Sequence, residues 1–128
     1  MNTGIVILAH GSRDPQWRGN VEAIAAQLTA QSGLTVACAY LELCSPTLDE
    51  VVADLQSKGL KHLRVLPLFF GIGKHASEDI PARLADINAR FSQVSLELLP
   101  AAGDDARVRH AVVDMALDGL PLPLQPTA

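Results

Sequence analysis

The chain alternates four times between a short apolar run and a longer stretch with helical spacing of its apolar residues. The apolar runs are Gly4 to Ala9, Leu34 to Leu41, Leu63 to Phe70 and Val94 to Leu99. Alternating strands and amphipathic helices predict a parallel sheet, because a crossover helix must connect each strand to the next. Right-handed crossovers place such helices on both faces. We therefore predict a three-layer α/β fold with a four-stranded, mainly parallel sheet.

Capping residues, two of them followed by proline, indicate where the helices begin. Asp14 followed by proline predicts the first helix start, and Ser45 followed by proline predicts the second. The third helix is expected to begin near Ser77, and Asp104 could cap the fourth. Each predicted helix has an apolar stripe that is expected to face inward. The stripes are Val21, Ile24, Ala25 and Leu28 in the first helix; Leu48, Val51, Val52 and Leu55 in the second; Ile80, Leu84 and Ile87 in the third; and Val108, Val112 and Met115 in the fourth.

Length and composition limit the classes of protein that the chain can belong to. Its 128 residues fit one domain, which we expect at 1–119, followed by a flexible, proline-bearing tail at 120–128. A net charge of -4 gives no reason to expect nucleic acid or a membrane surface as partner. The first apolar run is too short for a signal peptide or a membrane span, so we expect a cytoplasmic protein. Cys38 and Cys44 are expected to be reduced and structural.

Polar side chains follow the first three predicted strands, at the sheet edge where ligands bind in folds of this kind. They are His10, Ser12 and Arg13 after the first strand, Glu42 after the second, and Lys74 and His75 after the third. Imidazole nitrogen and carboxylate oxygen suit cobalt, nickel, iron and zinc, and imidazole also accepts protons near neutral pH. His10, His75 and Glu42 are therefore candidate metal ligands.

Each candidate also has a structural interpretation. His10 could bond a loop carbonyl, His75 could be a solvated loop residue, and Glu42 could be the ion-pair partner of Arg13 or Lys74. Asp14 and Ser45 are expected to serve as helix caps. The other two histidines, at 62 and 110, fall away from this edge and are predicted to be surface residues.

Three familiar catalytic motifs do not fit. A histidine phosphatase needs arginine directly before the histidine, where this chain has Ala9. A P-loop needs Ser or Thr at the position of His75. A nucleophile elbow around Ser12 needs glycine at the position of Asp14. Phosphate and acyl-transfer chemistry are therefore disfavoured at this edge.

Three segments together resemble a known family: residues 7–14 (ILAHGSRD), residues 41–48 with Leu41-Glu42 and Ser45-Pro46-Thr47-Leu48, and residues 65–81 with Gly73-Lys74-His75 and Asp79-Ile80-Pro81. The chain resembles the small form of the sirohydrochlorin cobaltochelatases, the CbiX-like class II chelatases. The likeness runs from about Ile5 to Met115.

The resemblance implies a chelatase-like fold, half of a flavodoxin-like pair of lobes, and a homodimer that closes the site between subunits. It implies insertion of a divalent metal into sirohydrochlorin with release of two protons, in cobalamin or siroheme biosynthesis. The metal is a substrate, with Co2+ favoured and Fe2+ or Ni2+ as alternatives, and no cofactor is permanently bound. His10 and His75 match the two histidines that face the macrocycle centre, and Glu42 matches an acidic position with a ligand or proton-carrier role.

Three further points concern the substrate contacts, the alternative function and the choice of metal. Arg13 and Lys74, with Ser12, are expected to contact the carboxylates of the substrate, because cationic side chains attract them. A tetrapyrrole or metal carrier without turnover would use the same edge residues and is the alternative function. The sequence does not choose the metal, since affinities for such ligands follow the metal more than the site.

Overall fold

Four parallel strands and four α-helices alternate along residues 2–71 and 73–121, which the computed structural model describes, with the backbone alone for residues 74–77. The strands are β1 (Thr3–Ala9), β2 (Thr35–Tyr40), β3 (His62–Pro67) and β4 (Ser95–Leu98). The helices are α1 (Pro15–Ser32), α2 (Leu48–Ser57), α3 (Lys74–Arg90) and α4 (Ala106–Leu117), with a 3-10 turn at Ala102–Asp104. The expected tail from residue 122 onward lies outside the described residues.

The sheet has the order β2-β1-β3-β4, and every pairing is parallel. β1 therefore lies between β2 and β3, with Ala9 opposite Tyr40 and Leu8 opposite Pro67. The chain leaves β1 in one direction to form β2 and returns past it to form β3, so a topological switch point lies between β1 and β3. The predicted four-stranded α/β fold is confirmed, and the carboxyl ends of all four strands lie at one edge.

Both faces of the sheet are covered by apolar side chains. α2 and α3 pack on one face, where the β1 residues Val6 and Leu8 are fully buried. α1 packs on the opposite face, where Ile7 and Ala9 join Val21 and Tyr40. β1 is apolar at successive positions because it faces a helical layer on each side.

The helix starts differ from the sequence prediction in three places. Ser45 does not cap α2; Thr47 does, because its side chain accepts the Glu50 N–H while Glu50 accepts the Thr47 N–H. α3 begins at Lys74, with Gly73 as its N-cap, and so one turn before the predicted Ser77. Asp105 rather than Asp104 caps α4, since its carboxylate accepts the Arg107 N–H at 2.8 Å.

The inward-facing residues of α2 and α3 were predicted correctly, and those of α4 were not. Leu48, Val51, Val52 and Leu55 are buried, as are Ile80, Leu84 and Ile87. On α4, however, Val112 is 40% exposed and Met115 is 74% exposed, and the helix buries none of its residues. On α1, Ile24 is also 40% exposed. The apolar stripe of α4 is therefore uncovered in the described part of the chain.

Leu55 provides a test of the packing between α2 and the sheet. It is 1% exposed, so Leu55→Ala should lower the free energy of unfolding by about 2–5 kcal/mol through lost contacts and a residual cavity. Ile24→Ala, at an exposed position on α1, should change it by less than about 1 kcal/mol. Urea unfolding monitored by circular dichroism measures both. Equal losses at the two positions would contradict this packing.

Candidate functional site

The structure brings two of the sequence-predicted site residues into contact. His10 directly follows β1, and Glu42 lies two residues beyond β2. His10 Nε2 and Glu42 Oε1 are 2.9 Å apart, with 62% and 57% of the respective side chains exposed. Among the described side chains, Glu42 thus has His10 rather than Arg13 as its partner. The imidazole and the carboxylate stand together at the open edge of the sheet.

Backbone pairing beyond the strands holds these two residues side by side. The Leu41 N–H donates to Ala9 O at 3.0 Å, and the Glu42 N–H donates to His10 O at 3.1 Å. These bonds extend the β1–β2 ladder into both loops. The side chains of residues 10 and 42 therefore project from neighbouring, mutually bonded backbones.

Gly11 makes this close approach of the two loops possible. Its φ is +113°, and a Cβ at this position would overlap the carbonyl oxygen of Glu42. Any other residue would have to move one loop away from the other. Sequence reasoning did not assign Gly11 a role; the His-Gly pair directly after a strand was the available signal.

His75 and Lys74 lie on the first turn of α3, not in the loop predicted from the sequence. The helix follows β3, the neighbour of β1, so its N-terminus belongs to the carboxyl edge of the sheet. The side chains of both residues lie outside the described part of the chain, and their placement near His10 remains a prediction. Among the described side chains, no three His, Cys, Asp or Glu residues form a group that could hold a metal ion.

The residues after His10 form a turn into α1. The Ser12 hydroxyl oxygen accepts the Asp14 N–H at 3.1 Å, and the Asp14 carboxylate accepts the Gln16 N–H at 2.9 Å. The predicted cap at Asp14 is confirmed. Ser12 still has its own hydroxyl proton to donate, and Arg13 is exposed beside it.

The His10–Glu42 pair combines the donor atoms needed for metal handling. A nitrogen and an oxygen donor lie within hydrogen-bond distance, and both can take up protons. Even a fully charged pair that is exposed to solvent contributes only about 0–1 kcal/mol to stability. An incoming ion or proton can therefore replace this contact at little cost to the fold.

Tyr40 is the last residue of β2, next to the carboxyl edge of the sheet, and is 2% exposed. Burial raises the pKa of Tyr40 to about 12, and the nearby Cys38 and Glu22 act in the same direction. The Trp17 ring, from the first turn of α1, lies 6.0 Å from the Tyr40 ring. Both cysteines are free, and burial also raises the pKa of Cys38.

A cavity of about 520 Å³ adjoins Tyr40 on the outer edge of β2, between α1 and α2. Its lining includes Arg18, Glu22, Cys38, Glu50 and Asp54. His10 and Glu42 are not among the lining residues. The cavity is therefore separate from the exposed pair at the carboxyl edge.

The sequence is similar to those of several known proteins. A family model for CbiX matches residues 4–118. A sirohydrochlorin cobaltochelatase from Saccharolobus solfataricus is 36% identical over 116 residues, which cover 86% of this chain and 90% of that protein. Two other sirohydrochlorin cobaltochelatases match over 81 residues only, 57% and 62% of their length, so the chain spans about three fifths of them.

Solved structures share the fold. A cobalamin biosynthesis CbiX protein from Marinobacter aquaeolei VT8 has a TM-score of 0.80 at 33% identity, covering 89% of this chain and 93% of that one. The sirohydrochlorin chelatase SirB from Bacillus subtilis subspecies spizizenii, in complex with cobalt, has a TM-score of 0.78 at 27% identity. That match covers 92% of this chain but 51% of SirB.

No helix within the described residues is long and apolar enough to cross a bilayer.

Tyr40 is the only tyrosine, so its ionisation can be followed directly by the ultraviolet absorbance of the phenolate. The expected midpoint in the native protein is about 12, against an ordinary value of about 10 that should be recovered in denaturant. Because the folded pKa is the higher one, this contribution to stability is complete below about pH 10 and is lost as the pH rises towards 12. A native midpoint near 10 would contradict the burial of the ring.

Proposed function

Because the chain belongs to the CbiX family, we propose that it is a sirohydrochlorin chelatase that inserts a divalent metal ion into the tetrapyrrole. The observation that carries the proposal is the exposed His10–Glu42 pair, with a 2.9 Å contact at the carboxyl edge of β1 and β2. Insertion replaces two pyrrole N–H bonds by metal–nitrogen bonds and releases two protons. The site must therefore hold a cation and accept protons, and imidazole and carboxylate groups do both.

The roles of the edge residues follow from this chemistry. His10 and His75 hold the incoming ion; as each imidazole releases the ion to the macrocycle nitrogens, its freed lone pair accepts one of the two pyrrole protons. Glu42 holds the His10 imidazole in the free protein and is either a third ligand or a proton carrier. Since the pair is exposed, protons accepted there can pass directly to water.

Charged and polar neighbours are suited to a polycarboxylate substrate. Arg13 is exposed one residue beyond Ser12, whose hydroxyl proton remains free to donate. Lys74, on the first turn of α3, adds a second cation at the same edge by its position in the fold. These three residues are the proposed contacts to the carboxylates of sirohydrochlorin.

Co2+ is the metal that we favour, with Fe2+ and Ni2+ as alternatives. The relatives at 36–37% identity are cobaltochelatases, and SirB structures contain cobalt in one case and Fe3+ in another. Nitrogen and oxygen ligands accept all three divalent ions. The product then enters cobalamin or siroheme biosynthesis in the cytoplasm.

The decisive experiment is a visible-absorbance time course with excess sirohydrochlorin and Co2+, Fe2+ or Ni2+ in separate anaerobic reactions, against protein-free controls. Product should exceed one equivalent of protein. His10→Ala and His75→Ala should each lower kcat/KM at least tenfold, because each removes a ligand and a base. His62→Ala, at the exposed start of β3 and so at the opposite end of the sheet from His10, is the matched control and should leave the rate unchanged.

Two outcomes would contradict the proposal. Absorbance change that stops at one equivalent would indicate a carrier rather than an enzyme. Values of kcat/KM within about twofold of wild type for both His10→Ala and His75→Ala would remove these residues from the mechanism.

We further propose that the active form is a homodimer, with α4 in the interface. SirB, twice as long as the matched region, has room for two such folds in one chain. On α4, Val112, Val113 and Met115 are 40%, 54% and 74% exposed, so the helix leaves three large apolar side chains uncovered. A second copy would cover it and supply the other lobe.

The interface can be tested by placing a charge on α4. Val112→Glu and Met115→Glu should each raise the dimer dissociation constant at least tenfold, because a buried carboxylate without a partner is costly. Ile24→Glu on α1 is the matched control, since Ile24 and Val112 are equally exposed at 40%. Sedimentation velocity over a concentration series measures all three. Equal behaviour of Val112→Glu and Ile24→Glu would show that α4 is not the interface.

A further inference from the structure

Two large apolar side chains are exposed on either side of the His10–Glu42 pair. Leu43, which follows Glu42 beyond β2, is 51% exposed. Phe70, three residues beyond β3, is 72% exposed, whereas its neighbour Phe69 packs against the core under α2 and α3. His10 stands between them, because β1 is the strand between β2 and β3.

Leu43 has a backbone conformation that leucine rarely adopts. Its φ is +68°, and it is the only non-glycine residue with a positive φ in the described part of the chain. Glycine or asparagine would occupy this conformation more readily, since a Cβ is disfavoured there. The side chain gains little from burial in return, because half of it is exposed. Strain of this kind, kept in an exposed residue beside a site, points to a role in binding.

Both exposed residues project from backbones that are fixed by glycine contacts. Gly11 packs against the carbonyl of Glu42, the residue before Leu43. Gly103, in the turn after β4, packs so closely against the Phe70 backbone that a Cβ would overlap it, and the Gly103 N–H donates to Phe69 O at 2.8 Å. Leu43 and Phe70 are thus held in place before any ligand arrives, which lowers the entropic cost of binding.

We propose that Leu43 and Phe70 form an apolar platform that contacts the flat conjugated face of the macrocycle and positions its centre at His10 and Glu42. This inference rests on the proposed chelatase function and adds two specificity-determining residues to it. Adjacent strands lie about 4.8 Å apart, so the ends of β2 and β3 are separated by about 10 Å across β1. A four-ring macrocycle can span that distance, whereas a metal ion touches only the central pair.

The substitutions Leu43→Gly and Phe70→Ala test the platform, with Ile24→Ala as the control at an exposed apolar position elsewhere. Each should raise the KM for sirohydrochlorin about tenfold, the effect of losing one large apolar contact, while the KM for Co2+ stays within twofold. Leu43→Gly should also melt at or above the wild-type temperature, because glycine relieves the positive φ. A more stable protein that binds its substrate less well is not expected of a purely structural residue.

Direct titration separates the failure of the platform from the failure of the proposed function. Metal-free sirohydrochlorin is titrated into each variant, and the dissociation constant is read from the change in absorbance or fluorescence. If wild type shows no multiple turnover but binds sirohydrochlorin, and both variants bind at least tenfold less well, the chelatase proposal fails and the platform stands. If wild type turns over and both variants keep KM and dissociation constant within twofold, the platform is wrong and the chelatase proposal stands.

Sedimentation velocity of the same variants tests whether a second copy of the chain, rather than the tetrapyrrole, covers Leu43 and Phe70. Unchanged oligomeric state together with weaker tetrapyrrole binding supports the platform. Dissociation of a wild-type dimer by Leu43→Gly and Phe70→Ala, at unchanged tetrapyrrole affinity of the monomer, would assign these side chains to a second copy of the chain and overturn the proposal.

Discussion

The arrangement of the site depends on burial of β1 between two strands and two helical layers. Val6, Ile7 and Leu8 are fully buried and face alternate sides, so a shift of one residue would exchange the two faces. Burial thereby determines the register with β2 and β3. The register in turn determines which residues emerge together at the carboxyl edge, and His10 emerges at the centre of it.

The contact between His10 and Glu42 is suited to being replaced. A buried charge pair would be costly to separate, but these side chains are more than half exposed. The rigidity of the site comes from elsewhere, namely from the backbone bonds between the two loops and the close approach at Gly11. A fixed backbone with weakly paired side chains allows an ion or a proton to enter without disturbing the fold.

Sequence reasoning predicted the elements well because local signals determine them. The stripe of α2 residues and the cap at Asp14 were recognised, as was the convergence of His10 and Glu42 on one edge. The close backbone contacts of Gly11 and Gly103 were not predicted, because their partners lie more than thirty positions away in the sequence. Leu43 was missed since a positive φ at leucine has no sequence signature.

Helix α4, whose inward-facing residues were predicted wrongly, shows what periodicity does not determine. An apolar stripe such as Val112 and Met115 has the same spacing whether it packs on a sheet or on another molecule, so periodicity alone cannot distinguish the two. The position of the His75 side chain relative to His10 stays a prediction from topology, because only the backbone of the first turn of α3 is described.

Trp17 gives the protein a built-in optical probe. It is the only tryptophan, it lies on the first turn of α1 just beyond the loop that starts at His10, and its ring is 6.0 Å from the only tyrosine. Excitation energy absorbed by Tyr40 can therefore pass to Trp17, and the emission comes from one place beside the edge of the sheet. Fluorescence from this chain reports on the surroundings of a single indole rather than on an average over the molecule.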